Sequence, residues 1–160
     1  MINSAISQYG SVRGRKVTIN RRIECACKVM ASELVREVFS NLIDNAIKHS
    51  TGQVTIDVHM SKIHENGVEF CKVAVTDNGP GIPDVKKQAL FTRYMQGTTK
   101  AEGTGLGLYL VKSLIETFKG RVWVEDSVPG DYARGSRFVV LLPLADITRV
   151  SHGTGSAMTD

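Results

Sequence analysis

The chain has 160 residues, 42% of them hydrophobic and 22% charged, which is the size of one ordinary domain with enough apolar material for a core and too little for two enzyme domains. Its 20 lysines and arginines against 16 aspartates and glutamates leave a formal charge of +4, which permits an anionic partner without singling out nucleic acid. No apolar run reaches the roughly 20 residues of a bilayer crossing and the N-terminus lacks a signal peptide's basic and apolar regions, so a soluble, cytoplasmic chain is expected.

Residues 1–15 are polar and aperiodic and read as a flexible lead-in. Lys16 to Ile23 suits a first strand. Cys25 and Cys27 share one face of an extended segment, and with Cys71 they make an odd count that argues against a disulfide framework or zinc site and for a reducing compartment. Ser32 suits the N-cap of a helix to about Lys48, with Leu34, Val35, Val38, Phe39, Leu42, Ile43, Ala46 and Ile47 forming its apolar face. Gln53 to Met60 alternates as a half-buried strand, Val68 to Thr76 forms another, and Asn66-Gly67 between them predicts an antiparallel hairpin. Residues from about 83 to 103 are irregular, with one short helix, and read as a lid.

Leu106 to Phe118 carries Leu110, Val111, Leu114, Ile115 and Phe118 at the spacing of a packed helix, and Gly120 is expected to follow as its C′ residue. Val122 to Glu125 and Arg137 to Leu142 read as strands joined around Pro129-Gly130-Asp131. Residues 144–160 read as a disordered tail. The order predicts an α+β fold, a two-layer sandwich with a mixed sheet and helices on one face.

Three features carry chemistry. Glu37, Asn41, Asn45 and Lys48 recur at i, i+4, i+8 and i+11, a polar helix stripe whose carboxamides can offer oxygen to a hard cation and N–H to phosphate. Asp77-Asn78-Gly79-Pro80-Gly81-Ile82-Pro83 follows a strand, where an aspartate can accept from an exocyclic amine while the glycines admit a flat base. Gly103-Thr104-Gly105-Leu106-Gly107-Leu108 opens the second long helix, where free N–H groups and the dipole suit a polyphosphate. It is neither the dinucleotide fingerprint, since Leu108 stands where the third glycine would fall, nor a P-loop. Each feature alone has an ordinary structural reading, as a solvated stripe, an Asp-capped turn and a hinge.

Together, ELVREVFSNLIDNAIKHS, VTDNGPGIP, LFTRYMQG and GTGLGLYLVKSLIE resemble the N, G1, F and G2 boxes of the catalytic ATP-binding domain of sensor histidine kinases, which have the same ATP-binding (Bergerat) fold as gyrase, the Hsp90 chaperones and MutL. The resemblance covers residues 16–143, with the lead-in as the remnant of an upstream dimerisation helix. It implies that Asn45 ligates Mg²⁺ on ATP, that Asn41 and Lys48 act on the phosphate side, that His49 lies against the nucleotide, and that Asp77 binds the adenine amino group with Gly79, Gly81 and Ile82 beside it. Phe91 and Tyr94 match the F box, with Tyr94 replacing the usual phenylalanine. Gly103, Thr104, Gly105, Leu106, Gly107 and Leu108 close the lid on the phosphates, and Arg93 and Lys100 reach phosphate or the partner domain.

The resemblance further implies ATP and Mg²⁺ as cofactors and a kinase that phosphorylates a histidine on a separate dimerisation domain, upstream of a response regulator. An acceptor histidine is missing from this chain: His64 lies in the hairpin, His59 on a strand and His152 in the tail. The parent is expected to be a homodimer, membrane-anchored or not, while this fragment is monomeric and contacts neither nucleic acid nor membrane. Asn41 stands where the ATP-hydrolysing relatives carry a glutamate base, and an amide cannot take a proton from water. The alternatives are a nucleotide-binding regulatory module and an ATPase without histidine phosphotransfer.

Overall fold

The computed structural model describes residues 11–12, 15–25, 27, 33–92 and 106–144. The chain order is β1 (Ser11–Val12), β2 (Arg15–Ile23), α1 (Glu33–His49), β3 (Val54–Glu65), β4 (Val68–Asp77), α2 (Asp84–Lys87), α3 (Gly107–Thr117), β5 (Arg121–Val128) and β6 (Asp131–Pro143). The strands form one sheet in the order β1-β2-β3-β4-β6-β5. Only β2 and β3 run parallel, Val17 opposite Val54, because α1 carries the chain back over the sheet between them; the other pairings are antiparallel. The mixed, mostly antiparallel α+β sandwich expected above is what forms. Ser11–Val12, inside the expected lead-in, pairs with Arg15 and Lys16.

Burial follows the strand period. Val54, Ile56 and Val58 of β3 and Cys71, Val73 and Val75 of β4 join Val38, Phe39, Leu42 and Ile43 of α1 and Val111 and Ile115 of α3 in one core. The α1 apolar face is narrower than its spacing suggested, since Leu34 is exposed at its first turn. On α3 Leu110 is likewise exposed, and only Val111 and Ile115 are fully buried. Asn66 and Gly67 both adopt positive φ, 51° and 79°, as a two-residue turn of the primed type requires. Glu33 in the first turn of α1 and Lys48 and His49 in its last oppose the helix dipole.

The end of α3 departs from expectation. Lys119, not Gly120, is the left-handed C′ residue, with φ 57°. Lys119 N donates to Glu116 O at 2.9 Å and Gly120 N to Ile115 O at 2.9 Å, the paired bonds of a Schellman motif. Glycine is needed one position later because a Cβ on Gly120 would lie 2.3 Å from Leu141 O.

Cys25 and Cys27 form a disulfide across a Cα separation of 5.5 Å, contrary to the free thiols expected. This separation is shorter than the roughly 6.6–7.2 Å that two fully extended residues would span and falls within the range a disulfide bridges. Cys71 is free and buried, and desolvation pushes its thiol pKa up to about 11, which leaves it unreactive near neutral pH. Among the described residues no helix is long and apolar enough to cross a membrane. Ser32 and the tail from residue 145 lie outside the described residues.

Candidate functional site

Asp77 ends β4 on the helix-facing side of the sheet and is only 7% exposed. A buried carboxylate needs partners, and neighbouring segments supply them. Gly79 N donates to Asp77 Oδ1 at 2.8 Å, and Ser136 Oγ donates to Oδ2 at 2.5 Å. Asn78 ties the same corner to β3: its Oδ1 accepts from Thr55 N at 2.8 Å and its Nδ2 donates to Gln53 O at 3.2 Å.

The glycines around Asp77 are dictated by close approach. A Cβ on Gly81, where φ is 68°, would lie 1.5 Å from Tyr132 O, and one on Gly135, where φ is 115°, would lie 2.0 Å from Asp77 O. The loop after β4 and the β6 backbone therefore interlock around the aspartate. Ile82 is partly buried against the core.

Helix α1 links this corner to the start of α3. A Cβ on Gly79 would lie 2.9 Å from the Oγ of Ser50, whose hydroxyl closes the helix end by donating to Ala46 O at 2.7 Å. At the other end of the stripe, a Cβ on Gly107 would lie 3.0 Å from Asn41 Oδ1. The Nδ2 of Asn41 donates to Glu37 O at 2.9 Å, so the carboxamide oxygen is the atom turned toward α3. Eight residues of helix separate Asn41 from His49, about 12 Å at 1.5 Å per residue. Asn45 and Lys48 lie on this stretch and are half-buried.

His49 is exposed at the end of α1. Desolvation, then the charge of Lys48, lower its pKa from the ordinary imidazole value, with Asp77 acting in the opposite sense. His49 immediately precedes Ser50, which stands against Gly79 at the aspartate corner.

Of the F box, Phe91 is buried and meets Phe138 edge-on with ring centroids 6.3 Å apart. Leu106 is exposed and Leu108 partly buried against the core. Arg93, Tyr94, Lys100, Gly103, Thr104 and Gly105 lie outside the described residues. The root of that segment is held by Lys87, whose ammonium bonds Asp84 and Asp126 at 2.5 Å each.

The sequence marks Gly135-Ser136 before the final strand as fitting the family but does not reveal the contacts of Ser136, Asn78 and Ser50, which hold the aspartate, the corner and the helix end. Ser136 had a signal: a small hydroxyl residue after Gly135 at the start of an apolar strand. The other two emerge only from contacts between β3, β4 and α1.

Residues 30–146 match the family model described as histidine kinase-, DNA gyrase B-, and HSP90-like ATPase. The adaptive-response sensory kinase SasA of Crocosphaera subtropica is 40% identical over 116 residues, covering 70% of this chain and 28% of that protein. The signal transduction histidine-protein kinase/phosphatase MprB of Mycolicibacterium paratuberculosis is 37% identical over 134 residues, covering 81% of this chain and 25% of that protein. The chain thus spans about a quarter of the length of these curated relatives. Among solved structures, a mycobacterial sensor histidine kinase MprB superposes with a TM-score of 0.77 at 23% identity, over 89% of this chain and 91% of that one. The nucleotide-free catalytic domain of histidine kinase ThkA superposes with a TM-score of 0.75 at 22% identity, over 89% and 91%. At that identity the likeness speaks for the fold alone. On the family match, and with an aspartate corner and an asparagine stripe joined by one helix, the chain belongs to the histidine kinase-, DNA gyrase B- and HSP90-like ATPases.

Proposed function

We propose that this chain is the Mg-ATP-binding catalytic part of a sensor histidine kinase and transfers the γ-phosphoryl group of ATP to a histidine on a separate dimerisation domain. The observation that carries the reading is the course of α1, which runs from Ser50 beside Gly79 at the aspartate corner to Asn41 beside Gly107 at the start of α3. Adenine sits at the corner, its amino group donating to Asp77, with Gly79 and Gly81 leaving room for the ring and Ile82 and His49 at its edge. The triphosphate then runs along the helix toward the N-terminus of α3, whose free N–H groups and dipole favour anions. Lys48 supplies positive charge on the way. Gly103, Thr104, Gly105, Gly107 and the flanking Leu106 and Leu108 close over the phosphates, and Arg93, Tyr94 and Lys100 belong to the same covering segment.

The donor chemistry fits magnesium. Asn45 offers a neutral carboxamide oxygen beside the phosphate path. Mg²⁺ is typically held by one or two protein oxygens together with phosphates and waters, and among the described residues there is no cluster of three or more His, Cys, Asp or Glu. Asn45 is the residue that would hold the ion, which when bound neutralises charge on the phosphates.

Phosphoryl transfer of this kind is mostly positioning. A histidine ring nitrogen on the partner domain attacks the γ-phosphorus in line; the bond to the β,γ-bridging oxygen breaks, and its electron pair leaves with ADP. Water is a poor competitor because the Asn41 amide takes no proton from it. This favours transfer over the ATPase alternative. Leu106, Tyr109 and Leu110 are exposed at i, i+3 and i+4, an apolar stripe beside the phosphate end that suits docking of the histidine-bearing helices. The parent works as a homodimer on the cytoplasmic side and passes its phosphoryl group to a response regulator.

The test supplies the dimerisation helices in trans with radiolabelled ATP and reads acid-labile phosphate on them. Label is expected with the unaltered chain and not with Asn45→Ala. Calorimetric ATP affinity unchanged in both Asp77→Asn and Asn45→Ala, or rapid phosphate release by the chain alone, would overturn the reading.

A further inference from the structure

The face of the sheet turned away from α1 and α3 carries a second polar constellation. The strand registers align Asn20, Asp57, Thr76 and Arg137 in one row across β2, β3, β4 and β6, with Arg22, His59, Ala74 and Val139 in the next. A groove of about 380 Å³ lies over these rows, within the usual size range of small-molecule sites. Part of its floor is Ala74, only 2% exposed.

The acidic groups of this face already have partners. Asn20 Nδ2 donates to Asp57 Oδ1 at 2.8 Å, and Arg22 Nε lies 2.9 Å from Glu24 Oε1. Glu125, opposite Arg137 on β5, accepts from Trp123 Nε1 at 2.6 Å. Among the described residues the Nε of Arg137 is buried without an acceptor. Among the described residues His59 Nε2 is the other buried side-chain nitrogen without a hydrogen bond, lying 3.1 Å from Glu24 Oε1 but off a bonding line. A buried donor with no acceptor costs stability, and more so when it belongs to a charged group. The fork of a guanidinium matches a carboxylate or a phosphate in two parallel bonds.

We propose that this groove binds a small anionic ligand through a carboxylate or phosphate group seated on Arg137, with His59 and Arg22 completing the cradle. The groove lies back to back with the aspartate corner. Thr76 immediately precedes Asp77 on β4 and Arg137 immediately follows Ser136 on β6, and strand alternation puts one member of each pair on either face. An anion drawing on Arg137 thus bears on the backbone that presents the Ser136 hydroxyl to Asp77. Resting on the nucleotide reading above, this makes anion and ATP affinities mutually dependent, by the same factor in each direction.

The experiment titrates the isotope-labelled chain at constant ionic strength with succinate and, separately, with glycerol 2-phosphate, following the amide signals of Asn20, His59, Thr76 and Arg137. Saturable shifts centred on these residues, with a dissociation constant on the order of 1 mM or tighter, are expected for one of the two, and which one tells carboxylate from phosphate. Arg137→Gln and Arg137→Lys should both weaken binding about tenfold, since lysine keeps the charge but loses the fork, whereas Lys62→Gln should not. The unaltered chain alone decides the matter if the Arg137 variants do not fold. No shift with either anion, shifts centred on Asn41 and Gly107 instead, or equal affinity in folded Arg137→Gln would overturn the proposal. So would shifts of these amides by an oligoaspartate peptide and by neither small anion, which would indicate a protein partner. Asp77→Asn should lose ATP yet keep the anion shifts, so failure of the nucleotide reading is seen separately.

Discussion

Ser136 on β6 donates its hydroxyl proton to Asp77 on β4 at 2.5 Å, and both residues are buried. Two adjacent strands thereby share one charge-assisted bond at the carboxylate proposed to receive adenine. Hydrogen bonds to a charged group contribute about 1.5–3 kcal/mol. Ser136→Ala should therefore destabilise the fold by about 2 kcal/mol in urea titration and weaken ATP binding in calorimetry. Ser136→Thr, which keeps the hydroxyl, should restore most of both.

Two glycines with nearly the same backbone angle should respond very differently to alanine. Gly81 (φ 68°) would drive a Cβ to 1.5 Å from Tyr132 O, while Gly130 (φ 80°) has nothing within 4 Å. Gly130→Ala then costs only the left-handed backbone penalty, about 1–2 kcal/mol. Gly81→Ala forces the G1 loop away from β6 and should abolish ATP binding or prevent folding. Thermal melts of the two variants side by side check this.

The lowered pKa of His49 sets the sign of a pH effect. Because the folded value lies below 6.5, the unfolded chain takes up the proton first, and stability falls as pH drops through 6.5 toward the folded value. Chemical denaturation at pH 7.5 and at pH 5.5 should show a smaller loss in His49→Gln than in the unaltered chain. An equal loss in both would place the acid sensitivity elsewhere.

Lys87 ties the short helix α2 to β5 through Asp126, and its bonds to Asp126 and then Asp84 raise its pKa above the ordinary lysine value. With a raised folded value, this contribution is full below pH 10.5 and is lost as pH rises beyond it. The Lys87 and Asp126 side chains are mostly covered while Asp84 is exposed, and the bonds fasten a helix of only four residues, so their loss should matter locally more than globally. Lys87→Met is expected to speed amide exchange over residues 84–92 while leaving the melting temperature nearly unchanged.

How much of this was legible beforehand differs from element to element. The apolar spacing from Val35 to Ile47 predicts α1, and Asn66-Gly67 predicts the β3–β4 hairpin, because each depends on residues a few positions apart. The C′ position of α3 does not follow from the local sequence: Lys119 takes the left-handed angle while Gly120 is required by Leu141 O, a neighbour on another strand. The same holds for the bond between Cys25 and Cys27, which sequence spacing placed on one face without showing how closely the backbone draws them together.

The candidate site divides along the same line. Residue type and order in the sequence suffice to nominate Asp77, Asn41 and Asn45 and to assign the family, because those signals lie within single helices or turns. That Ser136 holds the aspartate, that Gly107 abuts Asn41, and that Arg137 is stranded on the far side of the sheet from Ser136 were decided by strand order and register. Those set which residues distant in sequence meet, and no local pattern encodes them.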